Sequence, residues 1–161
     1  MFYSGMREGE LLALTLNDFD FEKNIVSINK SYVRFNGKDL IQTPKTPKSK
    51  REITLPEQTM QLIKSYAETL RRYNPDNRLF TCTKGYLSRE MKRGCLASGV
   101  KKIRIHDIRH SHASLLIELG FQPILVSERL GHENIETTLQ TYSHLYPNKQ
   151  KEVAEKLSEL L

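Results

Sequence analysis

All five histidines, His106, His110, His112, His132 and His144, lie between positions 106 and 144. His106, Arg109 and His110 are spaced three and four apart, so on one helix they share a side. Grouped imidazoles first suggest a metal, and His106 with His110 has a helical ligand spacing. The residues between them do not form the His-Glu-x-x-His pattern of a zinc peptidase, however, and only Asp107 and Glu133 supply an acid next to any histidine. Other chemistry-bearing residues read plainly when taken singly. Arg7 three residues before Glu10 resembles a helix-end ion pair, and Lys45 or Lys48 alone is a solvated loop lysine. His110 and His112 read as packing or surface residues, and Tyr142 as a half-buried aromatic with a wet hydroxyl.

The elements that must position these residues follow from periodicity and turn signals. Leu11, Leu12 and Leu14 behind Glu8 and Glu10 predict a helix over Glu8 to Ala13, closed by Asn17-Asp18. Ile25 to Ile28 and Tyr32 to Phe35 are β-type runs, and Asn36-Gly37 marks a hairpin that returns along Asp39 to Gln42. Pro44 and Pro47 make the segment 43–50 a loop, after which Arg51 to Leu55 alternates as a third strand. The rest is helical. Pro56 opens a helix to Tyr73 with Leu62, Ile63, Tyr66, Ala67 and Leu70 on one stripe. Ser88 to Ser98 forms a basic helix stopped at Gly99. Asp107 to Leu119 ends at Gly120, and a helix from Pro123 ends at Gly131. Ile135 to Thr141 follows Asn134 as N-cap, and an amphipathic helix after Pro147 carries Val153, Ala154, Leu157, Leu160 and Leu161 on one face. The expected class is mainly α with a small antiparallel three-stranded sheet.

Composition narrows the function classes. The 161 residues are 38% hydrophobic and 27% charged, as in a soluble folded domain rather than a disordered chain. Two cysteines, Cys82 and Cys95, are too few for a disulfide framework or a four-cysteine zinc site, as expected in a reducing compartment. The longest apolar run, Ala113 to Val126, is broken by Glu118, Gly120 and Pro123, so no membrane span is expected, nor does the start resemble a signal peptide. The net charge of +6 is unevenly placed: residues 84–112 carry eight basic and two acidic side chains, and residues 41–56 four and one. From Ala113 onward four basic side chains face seven acidic ones. One surface turned toward a polyanion is the reading this distribution favours.

The motifs, taken in order, resemble a known family. Gly5-Met6-Arg7-Glu8-Gly9-Glu10-Leu11-Leu12-Ala13-Leu14 is similar to the first arginine motif of the tyrosine recombinases, or phage integrases. Thr43-Pro44-Lys45-Thr46 through Arg51-Glu52-Ile53-Thr54-Leu55 resembles the β-hairpin lysine segment. His106-Asp107-Ile108-Arg109-His110-Ser111 resembles the His-x-x-Arg motif, and Leu130-Gly131-His132 with Tyr142 ten residues later resembles the third motif and nucleophile. The likeness runs over essentially the whole chain and is nearest to integrases of prophages and conjugative transposons.

This resemblance implies a catalytic domain spanning 1–161, with a core at 1–145 and a C-terminal helix at 148–161. It also implies that the arm-binding and core-binding domains of such integrases are absent, since the chain opens directly into patterned apolar sequence. The implied reaction is metal- and cofactor-independent DNA cleavage and rejoining through a 3′-phosphotyrosine. Tyr142 is the implied nucleophile, Arg7, Arg109 and His132 hold the phosphate, His106 is the base and Lys45 the general acid, with Lys48 the alternative. Lys48, Lys50, Arg51, Lys84, Arg89, Lys92 and Arg93 are expected phosphate contacts. The expected partners are duplex DNA and, on DNA, a homo-tetramer joined through the final helix, the free chain being monomeric and DNA-associated in a bacterial cytoplasm. Competing readings are a non-catalytic DNA-binding fragment, a type IB topoisomerase-like relaxing enzyme and a zinc hydrolase. The basic surface predicts that duplex binding weakens steeply between low and physiological salt. An affinity measured as flat across that range would refute it.

Overall fold

Local signals and tertiary packing meet first in the N-terminal half. The computed structural model describes residues 1–44, 46–70, 74–146 and 150–159. Helix α1 (Glu8–Ala13) starts where Glu10 reaches back to the Arg7 backbone amide at 2.7 Å, satisfying a donor that the helix itself leaves free. Strand β1 (Phe19–Asp20) pairs antiparallel with β2 (Ile25–Ile28), which pairs on its other edge with β5 (Arg51–Thr54). Between them β3 (Ser31–Phe35) and β4 (Lys38–Gln42) form a hairpin turned by Asn36 and Gly37, both at positive φ.

The sheet therefore differs from the expected one. The hairpin is a separate two-stranded ribbon, and the third strand of the sheet is Phe19–Asp20, a pair too short to show strand alternation. The reason is edge occupancy: β1 and β5 take both edges of β2. The ribbon docks on α1 instead, through Tyr32, which is buried with Leu12 and Ala13 and flanked by Phe80, Cys82 and Leu87. The Tyr32 hydroxyl donates to Asp39 at 2.9 Å, and the Arg78 guanidinium lies over its ring at 4.2 Å.

Helix α2 (Glu57–Thr69) closes the sheet core, which gathers Met6, Leu14, Val26, Ile28, Ile53, Leu55 and Met60. Its buried face is not the expected stripe. Met60 and Ile63 point inward and Tyr66 stacks on Phe80, but Leu62 is 72% exposed. The expected end at Tyr73 lies outside the described residues. Helix α3 (Lys84–Ser98) begins earlier than the apolar pattern predicts, because Thr83 Oγ1 caps it by accepting from the Tyr86 amide.

Helices α4 (Asp107–Glu118), α5 (Pro123–Leu130) and α6 (Ile135–Tyr142) make a second core of Ala113, Ile117, Val126, Leu130 and Tyr142. Gly131 ends α5 in the left-handed region, φ +67°, and a Cβ there would lie 2.8 Å from Arg51 Nη1, so both conformation and space demand glycine. Helix α7 (Gln150–Ser158) ends the described chain with Leu157 exposed, while Leu160 and Leu161 lie outside the described residues. Among the described residues no helix is long and apolar enough to cross a membrane.

The packing predicts opposite outcomes for two leucines. Leu130→Ala empties a fully buried site and lowers stability by about 2–5 kcal/mol, read as a shifted urea midpoint. Leu62→Ala changes it by less than about 0.5 kcal/mol.

Candidate active site

The junction of the two cores is built around one carboxylate. Glu10 is 3% exposed and holds Arg7 Nη1 at 2.9 Å and Arg51 Nη2 at 2.9 Å. Burial, the largest single influence on its pKa, pushes upward, but the Arg51 hydrogen bond and charge, joined by Arg7, outweigh it and hold the carboxyl below its ordinary range. Arg7 sits at the N-cap of α1 and also donates from Nη2 to the Gly131 carbonyl at 3.2 Å. Arg51 opens β5 and donates from Nε to the Arg129 carbonyl at 2.8 Å.

Arg109, on α4, is buried without a carboxylate of its own. Its Nη1 donates to the Gly5 carbonyl at 2.6 Å and its Nη2 to the Leu130 carbonyl at 2.7 Å. Burial and then the nearby Arg7 charge push its pKa down to about 9. Arg7 and Arg51 thus share one carboxylate, and the Arg109 charge lies close enough to feel it, leaving the junction with excess positive charge. A cleft of about 390 Å³ opens beside it, lined by Arg7, Glu10, Thr43, Pro44, Thr46 and Gly131.

The imidazoles around this cluster are kept neutral. His132, just past α5, places Nδ1 2.8 Å from the buried Thr138 hydroxyl, and burial, then the Arg109, Arg7 and Arg51 charges, lower its pKa to about 4. His112 accepts from Arg129 Nε at 3.1 Å through Nε2, and burial with the Arg129 charge lowers it to about 4 as well. His106, exposed at the start of α4, is lowered by partial burial and by His110.

Tyr142 ends α6 and is 4% exposed, so its hydroxyl is not wet. Its Oη lies 2.6 Å from Nδ1 of His110. Burial raises the phenol pKa, and the Arg109 charge partly opposes the rise. His106, the residue expected to serve the phenol, instead meets His110 edge to face, with ring centroids 4.8 Å apart. His110, read from sequence as a packing or surface residue, is the imidazole in contact. The i, i+4 spacing put both on the same side of α4, and only the packing of α6 selects one.

The other expected residues divide. Arg51, with its side chain 7% exposed, braces Glu10 and donates to the Arg129 and Ser49 carbonyls, and it also lines the cleft beside His132. Lys48, Lys50, Lys84, Arg89, Lys92 and Arg93 are exposed, although Lys48 donates to the Glu133 carbonyl at 2.8 Å and Arg93 pairs with Glu90. Lys45 lies outside the described residues, while its neighbours Pro44 and Thr46 line the cleft beside Arg7. Among the described residues no three His, Cys, Asp or Glu side chains come together as a metal set. Glu10 was visible in the sequence as an ion-pair partner of Arg7, but its grip on Arg51, forty-one residues away, was not.

The α-rich fold with its small sheet matches that of tyrosine recombinase catalytic domains. The sequence model of the phage integrase family matches residues 1–149, and the chain belongs to that family. It is 38% identical over 173 residues to the ICEBs1 integrase of Bacillus subtilis, covering 99% of this chain and 47% of that protein. It is 30% identical to a XerC-like tyrosine recombinase of Caldanaerobacter subterraneus, covering 99% and 47%. The chain thus spans about half the length of the curated relatives it matches. Its fold matches the Tn1549 transposon integrase, solved in complex with a circular intermediate DNA, with TM-score 0.78 at 24% identity over 99% of this chain and 56% of that one. It also matches XerH recombinase bound to its difH substrate, with TM-score 0.64 at 25% identity over 98% and 43%.

The two depressed imidazoles set an acid limit. The unfolded chain takes up protons at His112 and His132 from about pH 6.5 downward, whereas the folded chain resists until about pH 4. Their stabilisation is therefore complete above pH 6.5 and is lost as pH falls toward 4. Urea midpoints measured across this window fall with pH, and His112→Gln flattens that slope.

Proposed function

We propose that this chain is the strand-cleaving and rejoining domain of a mobile-element integrase, acting on duplex DNA. The observation that carries the reading is the buried Tyr142 hydroxyl, held by one imidazole beside the Arg7–Arg109 cluster. Charge grows on the non-bridging phosphate oxygens as a phosphoryl group is attacked. Two guanidiniums able to fork onto those oxygens are suited to neutralise it. Arg7 and Arg109 have this role, and neutral His132, oriented by Thr138 at Nδ1, offers Nε2–H as a further donor.

Tyr142 attacks the scissile phosphorus, giving a 3′-phosphotyrosine and a free 5′-hydroxyl. The phenol, with an ordinary pKa of about 10 and raised further here by burial, gives its proton to a neighbouring imidazole of the His106–His110 pair. The leaving 5′-oxygen takes a proton from Lys45, or from Lys48, whose ammonium lies beside the His132 loop. The covalent link retains the energy of the phosphodiester, so the reverse attack by a 5′-hydroxyl rejoins the strand without ATP.

Exposed Lys48, Lys50, Lys84, Arg89, Lys92 and Arg93 track the duplex backbone outside the cleft, where they add affinity without reading sequence. The DNA complexes of the Tn1549 integrase and XerH support duplex DNA as the partner. The exposed Leu157 on α7 supports an apolar face that docks on a second copy in a tetramer assembled on DNA.

Covalent capture tests this function. Nicked suicide duplexes from the ends of the element, incubated with the chain in EDTA, yield a protein–DNA band on a denaturing gel. Tyr142→Phe abolishes the band, and Arg7→Lys, which loses the bidentate contact, slows its formation about a hundredfold to a thousandfold. A band that persists with Tyr142→Phe overturns the reading.

A further inference from the structure

We infer that His110, and not His106, is the general base that takes the phenolic proton of Tyr142 during strand cleavage. The inference rests on the cleavage function proposed above and assigns one of its steps. The two imidazoles are one helical turn apart, His106 at the N-cap of α4 and His110 in its first turn, so chain position does not separate them. Contact does. His110 Nδ1 is 2.6 Å from Tyr142 Oη, at the short end of the roughly 2.6–3.2 Å reach required of a general base. The two rings are tilted by 57° with centroids 5.8 Å apart, and it is the ring nitrogen that meets the oxygen.

The surroundings suit a proton acceptor. Tyr142 is buried against Ala113, Ile117, Val126 and Leu130, so no broad water layer reaches the hydroxyl to take its proton. Arg109, on the same helix as His110, is already committed to the Gly5 and Leu130 carbonyls and cannot accept a proton. His106 is exposed and packs its ring edge to face on His110, so it props the working imidazole from the solvent side.

The step balances. As Tyr142 Oη bonds to phosphorus, its O–H bond breaks and the proton passes to His110 Nδ1, leaving an imidazolium. The bond from phosphorus to the 5′-oxygen breaks in the same displacement, and that oxygen takes its proton from the lysine general acid. On rejoining, the 5′-hydroxyl attacks phosphorus as its proton returns to the lysine, and His110 returns its proton to the departing phenolate.

The test separates a base from a residue that merely positions the phenol. Covalent capture rates are measured on a duplex with a 5′-bridging phosphorothiolate, whose sulfur leaves without a proton. The wild-type chain, His110→Gln, His110→Asn and His106→Gln are compared, each with tyrosine and with a ring-fluorinated, more acidic tyrosine at position 142. His110→Gln and His110→Asn are expected to slow capture by about a hundredfold or more with ordinary tyrosine. The phosphorothiolate does not relieve this defect, because the lost proton transfer is on the nucleophile side. The acidic phenol restores most of it, while any defect of His106→Gln is left in place. Thermal melts of the four chains identify a folding loss. Folded His110 variants that capture at the wild-type rate, or whose defect ignores the acidity of the phenol, overturn the assignment. If the wild-type chain captures no DNA at all, the cleavage function fails and the base role fails with it, an outcome distinct from an active wild type with an indifferent His110.

Discussion

The Glu10 carboxylate and the guanidiniums gathered about it govern the rest of this structure. Two arginines that come from a helix N-cap and a strand start are pinned to a single buried acid, and a third is held by backbone carbonyls alone. Burying such charges is costly, and an apolar filling of the same space is often as stable or more so. What the arrangement achieves is position. Glu10 and the carbonyls of Gly5, Leu130 and Gly131 tie α1, β5, α4 and the end of α5 to one point, so the two cores cannot shift independently. Positive charge in excess of the one acid suits the phosphate proposed to bind there.

The same cluster sets the protonation of its neighbours. Positive charge and burial both disfavour imidazolium, which is why His112 and His132 stay neutral well below the ordinary range. For His112 the Arg129 N–H, which can only donate, makes Nε2 the acceptor and so places the ring proton on Nδ1. The phenol is subject to opposing effects, since burial resists its ionisation while Arg109 favours it. A site can therefore hold Tyr142 protonated at rest and still stabilise the developing phenolate when a base is in contact.

Much of the fold was legible because it depends on local chemistry. Asn36-Gly37 demands positive φ and marks the hairpin, Gly120 and Gly131 stop α4 and α5, and Pro123 starts α5. The failures have a common cause. Phe19–Asp20 is too short to show alternation, yet it pairs because β2 offers an edge. The hairpin leaves the sheet because Tyr32 finds a pocket on α1, and α2 turns Leu62 outward because Met60 and Ile63 fit the sheet core. Each outcome was decided by the shape of a distant surface rather than by the segment itself.

The site divides in the same way. The sequence by itself determined which groups are available and in what order: Arg7 with Glu10 one helical turn away, His106, Arg109 and His110 on one face of α4, and His132 ten residues before Tyr142. Those are properties of spacing along short elements, which helical geometry converts directly into faces. The tertiary structure alone decided that Arg51 turns inward to Glu10, that Thr138 orients His132, and that Tyr142 meets His110 rather than His106. Each of these depends on how elements far apart in the chain are set against one another. A shift of one helical turn between α4 and α6, about 5.4 Å, is enough to exchange one histidine for the other, and nothing in the local sequence fixes that distance.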